Sequence, residues 1–155
     1  MLARGEFMHI ITGKPAAVAH IRGGKDAVGL RGAVWFYQVP AGVLVEVKVR
    51  GLPQNGYGIY GMHIHEGGSC NGIDFSASGK HYNPLALPHP RHAGDLPPLI
   101  SYGGRAYATC ITDRFSIKEI IGRTIVIHGK PDDFHTQPSG NSGDKIACGV
   151  IEKAM

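Results

Sequence analysis

Gly42-Val43-Leu44-Val45-Glu46-Val47-Lys48-Val49-Arg50 is the stretch whose reading decides the fold class. Val43, Val45, Val47 and Val49 alternate with Leu44, Glu46, Lys48 and Arg50, and a period of two places the valines on one face of a strand. A helix would scatter the same residues around its circumference. The run 31–39, with Trp35, Phe36 and Tyr37, precedes this strand across Pro40-Ala41-Gly42. That spacing predicts an antiparallel hairpin.

Outward from the hairpin, segments 57–66, 106–113, 124–129 and 145–152 read as further short strands, and 16–22 as a weaker one. Only 116–121 suggests a helical turn, with Ser116 and Glu119 spaced as a capping box before Gly122. Twenty-three glycines and ten prolines fit many tight turns. Short strands without helical crossovers predict an all-β sandwich or barrel. A length of 155 residues fits a single domain spanning 1–155, and such a chain buries roughly 68–70% of its unfolded surface. Residues 1–8 are expected to be disordered or foreign to that domain.

Lys plus Arg exceeds Asp plus Glu by 16 − 12 = 4, and the excess lies in residues 1–56. No dense basic run with interleaved aromatics is present, so no nucleic acid partner is expected. No apolar run approaches the roughly 18 residues of a membrane span, and no membrane partner is expected. The N-terminal residues lack the apolar stretch of a signal peptide. The chain as written is therefore expected in the cytoplasm, or in the periplasm or outside the cell if a signal was removed.

Six of nine histidines form a spaced series: His63, His65, His81, His89, His92 and His128, with Asp95 among them. Imidazole is the commonest ligand for zinc and copper, and carboxylate adds an oxygen donor. His63 and His65 share one face of a predicted strand, with Met62, Ile64 and Glu66 on the other. His89, His92 and Asp95 follow one another at spacings of three in a Pro- and Gly-punctuated segment that suits a closed tetrahedral zinc site. Segments 67–99 and 129–144 have little strand character, and loops of that length in a compact domain are functional or disordered. Seven ligands serve two four-coordinate metals if one histidine is shared: four imidazoles suit Cu(II), and three with a carboxylate suit zinc. Cys70, Cys110 and Cys148 allow one disulfide and a free thiol, or three free thiols. His9, His20 and His135 read as structural or exposed.

At these residues the chain resembles the copper/zinc superoxide dismutases, in bacterial form. The motifs are Gly61-Met62-His63-Ile64-His65-Glu66, Gly79-Lys80-His81-Tyr82-Asn83-Pro84 and His92-Ala93-Gly94-Asp95-Leu96. Gly122-Arg123-Thr124-Ile125-Val126-Ile127-His128, Gly140-Asn141-Ser142-Gly143 and Ala147-Cys148-Gly149-Val150-Ile151 continue them in order. The resemblance implies an eight-stranded Greek-key β-barrel with two long functional loops. It implies copper on His63, His65, His81 and His128, zinc on His81, His89, His92 and Asp95, and His81 as the shared imidazole. Asp132 takes the place of an aspartate linking the two sites, and Cys70 and Cys148 that of a disulfide. Cys110 is left as a small buried hydrophobe.

The implied activity is dismutation of superoxide, by alternate reduction and oxidation of copper, with superoxide as the partner; a homodimer is one assembly open to the chain, and the sequence does not give the oligomeric state. Lys145 stands where the family carries an anion-docking arginine. It keeps the charge and loses the planar fork, so a slower enzyme is expected. The alternative reading is a non-catalytic copper- and zinc-binding protein, a copper carrier or a degenerate enzyme.

Overall fold

A computed structural model describes residues 13–155. The expectations for residues 1–8 and His9 fall outside them. The expected hairpin is present: β1 (Ala17–Gly23) is followed by β2 (Arg31–Val39) and β3 (Gly42–Arg50), paired from Arg31↔Arg50 to Val39↔Gly42. Gly42 takes φ +136 at the turn, and a Cβ there would lie 2.3 Å from the Thr112 carbonyl oxygen. Only glycine fits both conditions.

The chain continues through β4 (Ile59–Tyr60), β5 (Met62–His65), a kinked 3₁₀ segment (Ile73–Ser78), β6 (Leu99–Ile100) and β7 (Arg105–Thr112). Helix α1 (Ile117–Ile120), β8 (Thr124–His128) and β9 (Lys145–Lys153) complete it. The capping box closes as expected, with Ser116 and Glu119 exchanging side-chain and backbone hydrogen bonds. Seven strands form one curled antiparallel sheet in the order β5-β8-β9-β1-β2-β3-β7, and β4 pairs with β6. The connections from β3 across to β4–β5 and from β7 back to β8 give the Greek-key pattern.

The single strand expected over 57–66 is interrupted. Gly61 donates to the Lys130 carbonyl and accepts from the His128 amide, which takes its backbone out of the β4–β6 ladder. Among the described residues nine strands therefore stand where eight were expected. With the broken pair β4 and β5 taken as one, eight remain, and β6 turns into β7 through the Tyr102↔Arg105 bridge. The weakest sequence signal proves central: β1 lies between β2 and β9.

The alternating valines point inward as read. Val43, Val45, Val47 and Val49 join Phe36, Ile64, Ile125 and Ile151 in one buried core. Met62 and Ile64 also enter it, which leaves His63 and His65 on the outer face of β5. That face is covered by the two long loops, so both histidines are buried as well.

Candidate metal centre

Backbone pairing places the ligands. Beyond β5, the 67–99 loop lays two pieces of its own chain along the strand edge. The Glu66 amide donates to the Lys80 carbonyl, Tyr82 donates to Ile64, and Ile64 donates to Gly94. These bonds set His81 opposite His65 and Asp95 opposite His63. Gly94 permits the approach, since a Cβ there would lie 2.2 Å from the Ile64 carbonyl oxygen. His128 ends β8 beside β5, whose register pairs His63 with Val126.

Two side-chain groups result, and His81 belongs to both. Ligand atoms of His63, His65, His81 and His128 lie within 4.8 Å of one another, as do those of His81, His89, His92 and Asp95. In the first group Nε2 of His65 and Nε2 of His128 are 3.2 Å apart. In the second, Nδ1 of His81 lies 2.9 Å from Oδ1 of Asp95 and 3.2 Å from Nδ1 of His92.

Outer partners decide which nitrogen of each ring is free. Nδ1 of His65 donates to the Gly79 carbonyl at 2.8 Å, and Nδ1 of His128 to that of Gly143 at 3.2 Å. Nε2 of His63 donates to Oδ2 of Asp132 at 2.7 Å, and Nε2 of His89 to Oδ1 of the same carboxylate at 2.8 Å. Such bonds fix tautomer and ring direction and raise ligand basicity. Nδ1 of His63, Nδ1 of His89 and Nε2 of His81 are buried with no hydrogen-bond partner. Orphaned buried nitrogens are costly in an apoprotein, and here they converge. The donor sets fit two soft-to-borderline divalent cations, one held by four nitrogens and one by three nitrogens and an oxygen.

Burial favours the neutral form of His63, His65, His92 and His128, the state a metal requires. Burial pushes the His63 imidazole down to about 4 against the pull of Asp132, and His128 down to about 3. Burial also lowers His65, and more weakly His92. Asp132 is raised by burial, but its hydrogen bonds from His63, His89 and the Phe134 amide outweigh that and hold it well below the usual carboxylate range. Asp95 is likewise held low, by His81 above all.

Lys145 opens β9 at the mouth of a cleft of about 630 Å3 lined by His65, His81 and His128. Its ammonium donates to Ser78 Oγ and the Gly79 carbonyl, both at 2.8 Å, and burial lowers its pKa. Cys70 and Cys148 are joined, tying the 67–99 loop to β9. Cys110 is a free, half-buried thiol packed against the core.

Every ligand position named from the sequence is in one of the two groups, and Asp132 links them. His20 and His135 are exposed and belong to neither. One positioning residue was missed. Gln137 clamps the His89 backbone, accepting from its amide at 2.8 Å and donating to its carbonyl at 2.7 Å. The Thr136-Gln137-Pro138-Ser139-Gly140-Asn141 motif contains it, but no local pattern marks it as a clamp.

Comparison with known proteins agrees with this geometry. Residues 30–151 match the family model described as copper/zinc superoxide dismutase (SODC). A copper-zinc superoxide dismutase of Caulobacter vibrioides is 35% identical over 153 residues, covering 88% of this chain and 84% of the relative. One from Deinococcus radiodurans is 37% identical over 143 residues, covering 78% and 76%. One from Aquifex aeolicus is 33% identical over 136 residues, covering 78% and 79%.

Proposed function

The chain belongs to the copper/zinc superoxide dismutase family, and from that membership and this site we infer an enzyme that converts two superoxide anions and two protons to dioxygen and hydrogen peroxide. Copper and zinc are its cofactors. The four-imidazole group of His63, His65, His81 and His128 would hold copper. His81, His89, His92 and Asp95 would hold zinc. Copper held by the first group would supply the electron relay between one superoxide and the next.

The protein's own residues do the rest. The Lys145 ammonium draws the anion into the cleft, where partial burial strengthens its field. His81 Nε2, buried and without a protein partner, is the atom placed to take and return a proton. The other nitrogen of that ring faces Asp95 and His92, with which it would hold zinc, so the ring would keep its position through the cycle. Asp132 couples the two halves by orienting His63 and His89 together.

The observation that carries this reading is His81, whose two nitrogens face two separate donor groups. The test uses His128→Ala, because His128 touches no member of the zinc group through a hydrogen bond. The expected result is a protein that keeps zinc, loses copper and no longer consumes superoxide. Wild-type protein that binds a full complement of copper without dismuting superoxide would leave only the carrier reading.

A further inference from the structure

Away from the metal centre, the outer face of the sheet carries a row of four arginines. The registers pair Arg22 with Arg31, Arg31 with Arg50, and Arg50 with Arg105, one from each of β1, β2, β3 and β7. All four are exposed. At the usual spacing of strands the row extends about 14 Å. Like charges directly opposite one another destabilise a sheet, and no ion pair among the described residues neutralises any of them.

The next row along the same face adds one more cation, Lys48, with Tyr107 opposite it. The Lys48 ammonium lies 5.8 Å from the Trp35 ring centroid and 5.4 Å from that of Tyr107, held by aromatic faces rather than by a carboxylate. On this face Glu46 is 3% exposed and accepts hydrogen bonds from the Tyr37 and Tyr107 hydroxyls, and the exposed Glu152, opposite Val18, lies two rows from the arginines. At the Arg105 end, Tyr102 is 93% exposed.

We propose that this ladder is a docking surface for single-stranded nucleic acid. Guanidinium groups in a continuous row across the curled sheet can meet successive backbone phosphates, each of which can receive a forked pair of hydrogen bonds. Exposed tyrosine faces beside the row can stack bases. A row one guanidinium wide and about 14 Å long suits a single line of phosphates better than the broad plane of a lipid headgroup layer. The expectation of no nucleic acid partner came from the missing basic run. The structure supplies the run across strands, from residues as far apart as 22 and 105. Docking here leaves the metal cleft open, since the row shares no residue with it.

The test is fluorescence anisotropy of a labelled 20-nucleotide oligo(dT) titrated with metal-loaded protein at several salt concentrations. Wild type should bind, with affinity falling as salt rises. R31Q/R50Q removes two phosphate contacts. At a slope of about 0.7 per contact, it should bind about 25-fold more weakly at 0.1 M salt and lose about 1.4 from the slope. R31K/R50K should keep the slope, and Tyr102→Ala should weaken binding without changing it. The glutamine variant should melt no lower than wild type and keep its dismutase rate. Should it fail to fold, Arg105→Gln alone should cost about fivefold. Oligo(dT) that does not bind, or that binds a well-folded R31Q/R50Q as tightly as wild type, overturns the proposal. So does binding of heparin or phosphatidylglycerol vesicles that oligo(dT) cannot displace, which would assign the surface to a glycan or a membrane.

Discussion

The Lys145 ammonium sits 2.8 Å from the Gly79 carbonyl oxygen, and that same oxygen accepts from Nδ1 of His65 at 2.8 Å. The cation at the cleft and a ring of the four-imidazole group are therefore registered on one backbone atom. Lysine's three donors face Ser78 and Gly79 at 2.8 Å and the Phe75 carbonyl at 3.5 Å, so only the last is free to turn to substrate, whereas arginine's five donors could serve both the loop and a small anion. Lys145→Arg should raise the rate per bound copper by roughly fivefold, the worth of about one added hydrogen bond of 1 kcal/mol. Lys145→Gln should lower it about tenfold or more and flatten its dependence on ionic strength. A Lys145→Arg rate equal to wild type would show that the lysine is not limiting.

Asp132 accepts from two imidazoles, one on each carboxylate oxygen, and asparagine has only one acceptor oxygen to offer. In Asp132→Asn the amide nitrogen faces one ring, and that ring must turn its protonated nitrogen towards the metal group. Affinity for metal should fall about 10–100-fold. Chelator competition, read separately for copper and zinc, measures this directly. Unchanged affinity for both would remove Asp132 from the site's design.

The Cys70–Cys148 bond closes a loop with a sequence separation of 78. Chain-entropy arguments for a loop of that length give about 4 kcal/mol of stabilisation. Reduction, or Cys70→Ser, should lower the denaturant midpoint accordingly. The metal-free protein should show the larger effect, because metals otherwise hold the same loop. A midpoint indifferent to reductant would mean that the loop stays ordered without the bond.

The sequence was most legible where neighbours decide the outcome. Valine alternation gave β3, and the His63–His65 spacing gave two rings on one face. It was least legible where distant backbone intervenes. Gly61 breaks the 57–66 segment because His128 and Lys130 capture its amide and carbonyl, and 67 residues of chain hide that contact. Strand β1 read as weak because its inward residues include Ala17 and Ala19, yet small side chains suffice between two neighbouring strands. Asp132 and the cysteine pairing came only through family resemblance, and Gln137 came through neither route.

Acid should unfold the metal-free protein early. His63 and His128 titrate near about 4 and about 3 in the fold, and near 6.5 when unfolded. Between those limits the unfolded chain binds more protons, so stability rises with pH there. It is fully present above about pH 6.5 and is lost as the solution is acidified through about pH 4 for His63 and about pH 3 for His128. The melting temperature of metal-free protein should fall across that window, and His128→Gln should flatten the decline. A flat profile from pH 6.5 to 4 would mean that these rings are not buried neutral.

Gly140 has φ +70, and a Cβ there would lie 2.0 Å from Oδ1 of Asp132 and 2.6 Å from Nε2 of His89. Gly122 has a similar φ of +86 with nothing within 4 Å of its Cβ. Alanine at either position incurs the left-handed backbone cost, about 1–2 kcal/mol. Only at position 140 does the new methyl also enter the hydrogen bond that fixes His89. Gly122→Ala should therefore lose stability alone, keeping zinc affinity within error of wild type. Gly140→Ala should lose stability and, in addition, about tenfold or more in zinc affinity by releasing the His89 ring. Zinc titration of the two variants side by side separates strain from crowding. If both lose zinc equally, or neither does, the Asp132–His89 contact is not what holds that ring for the metal.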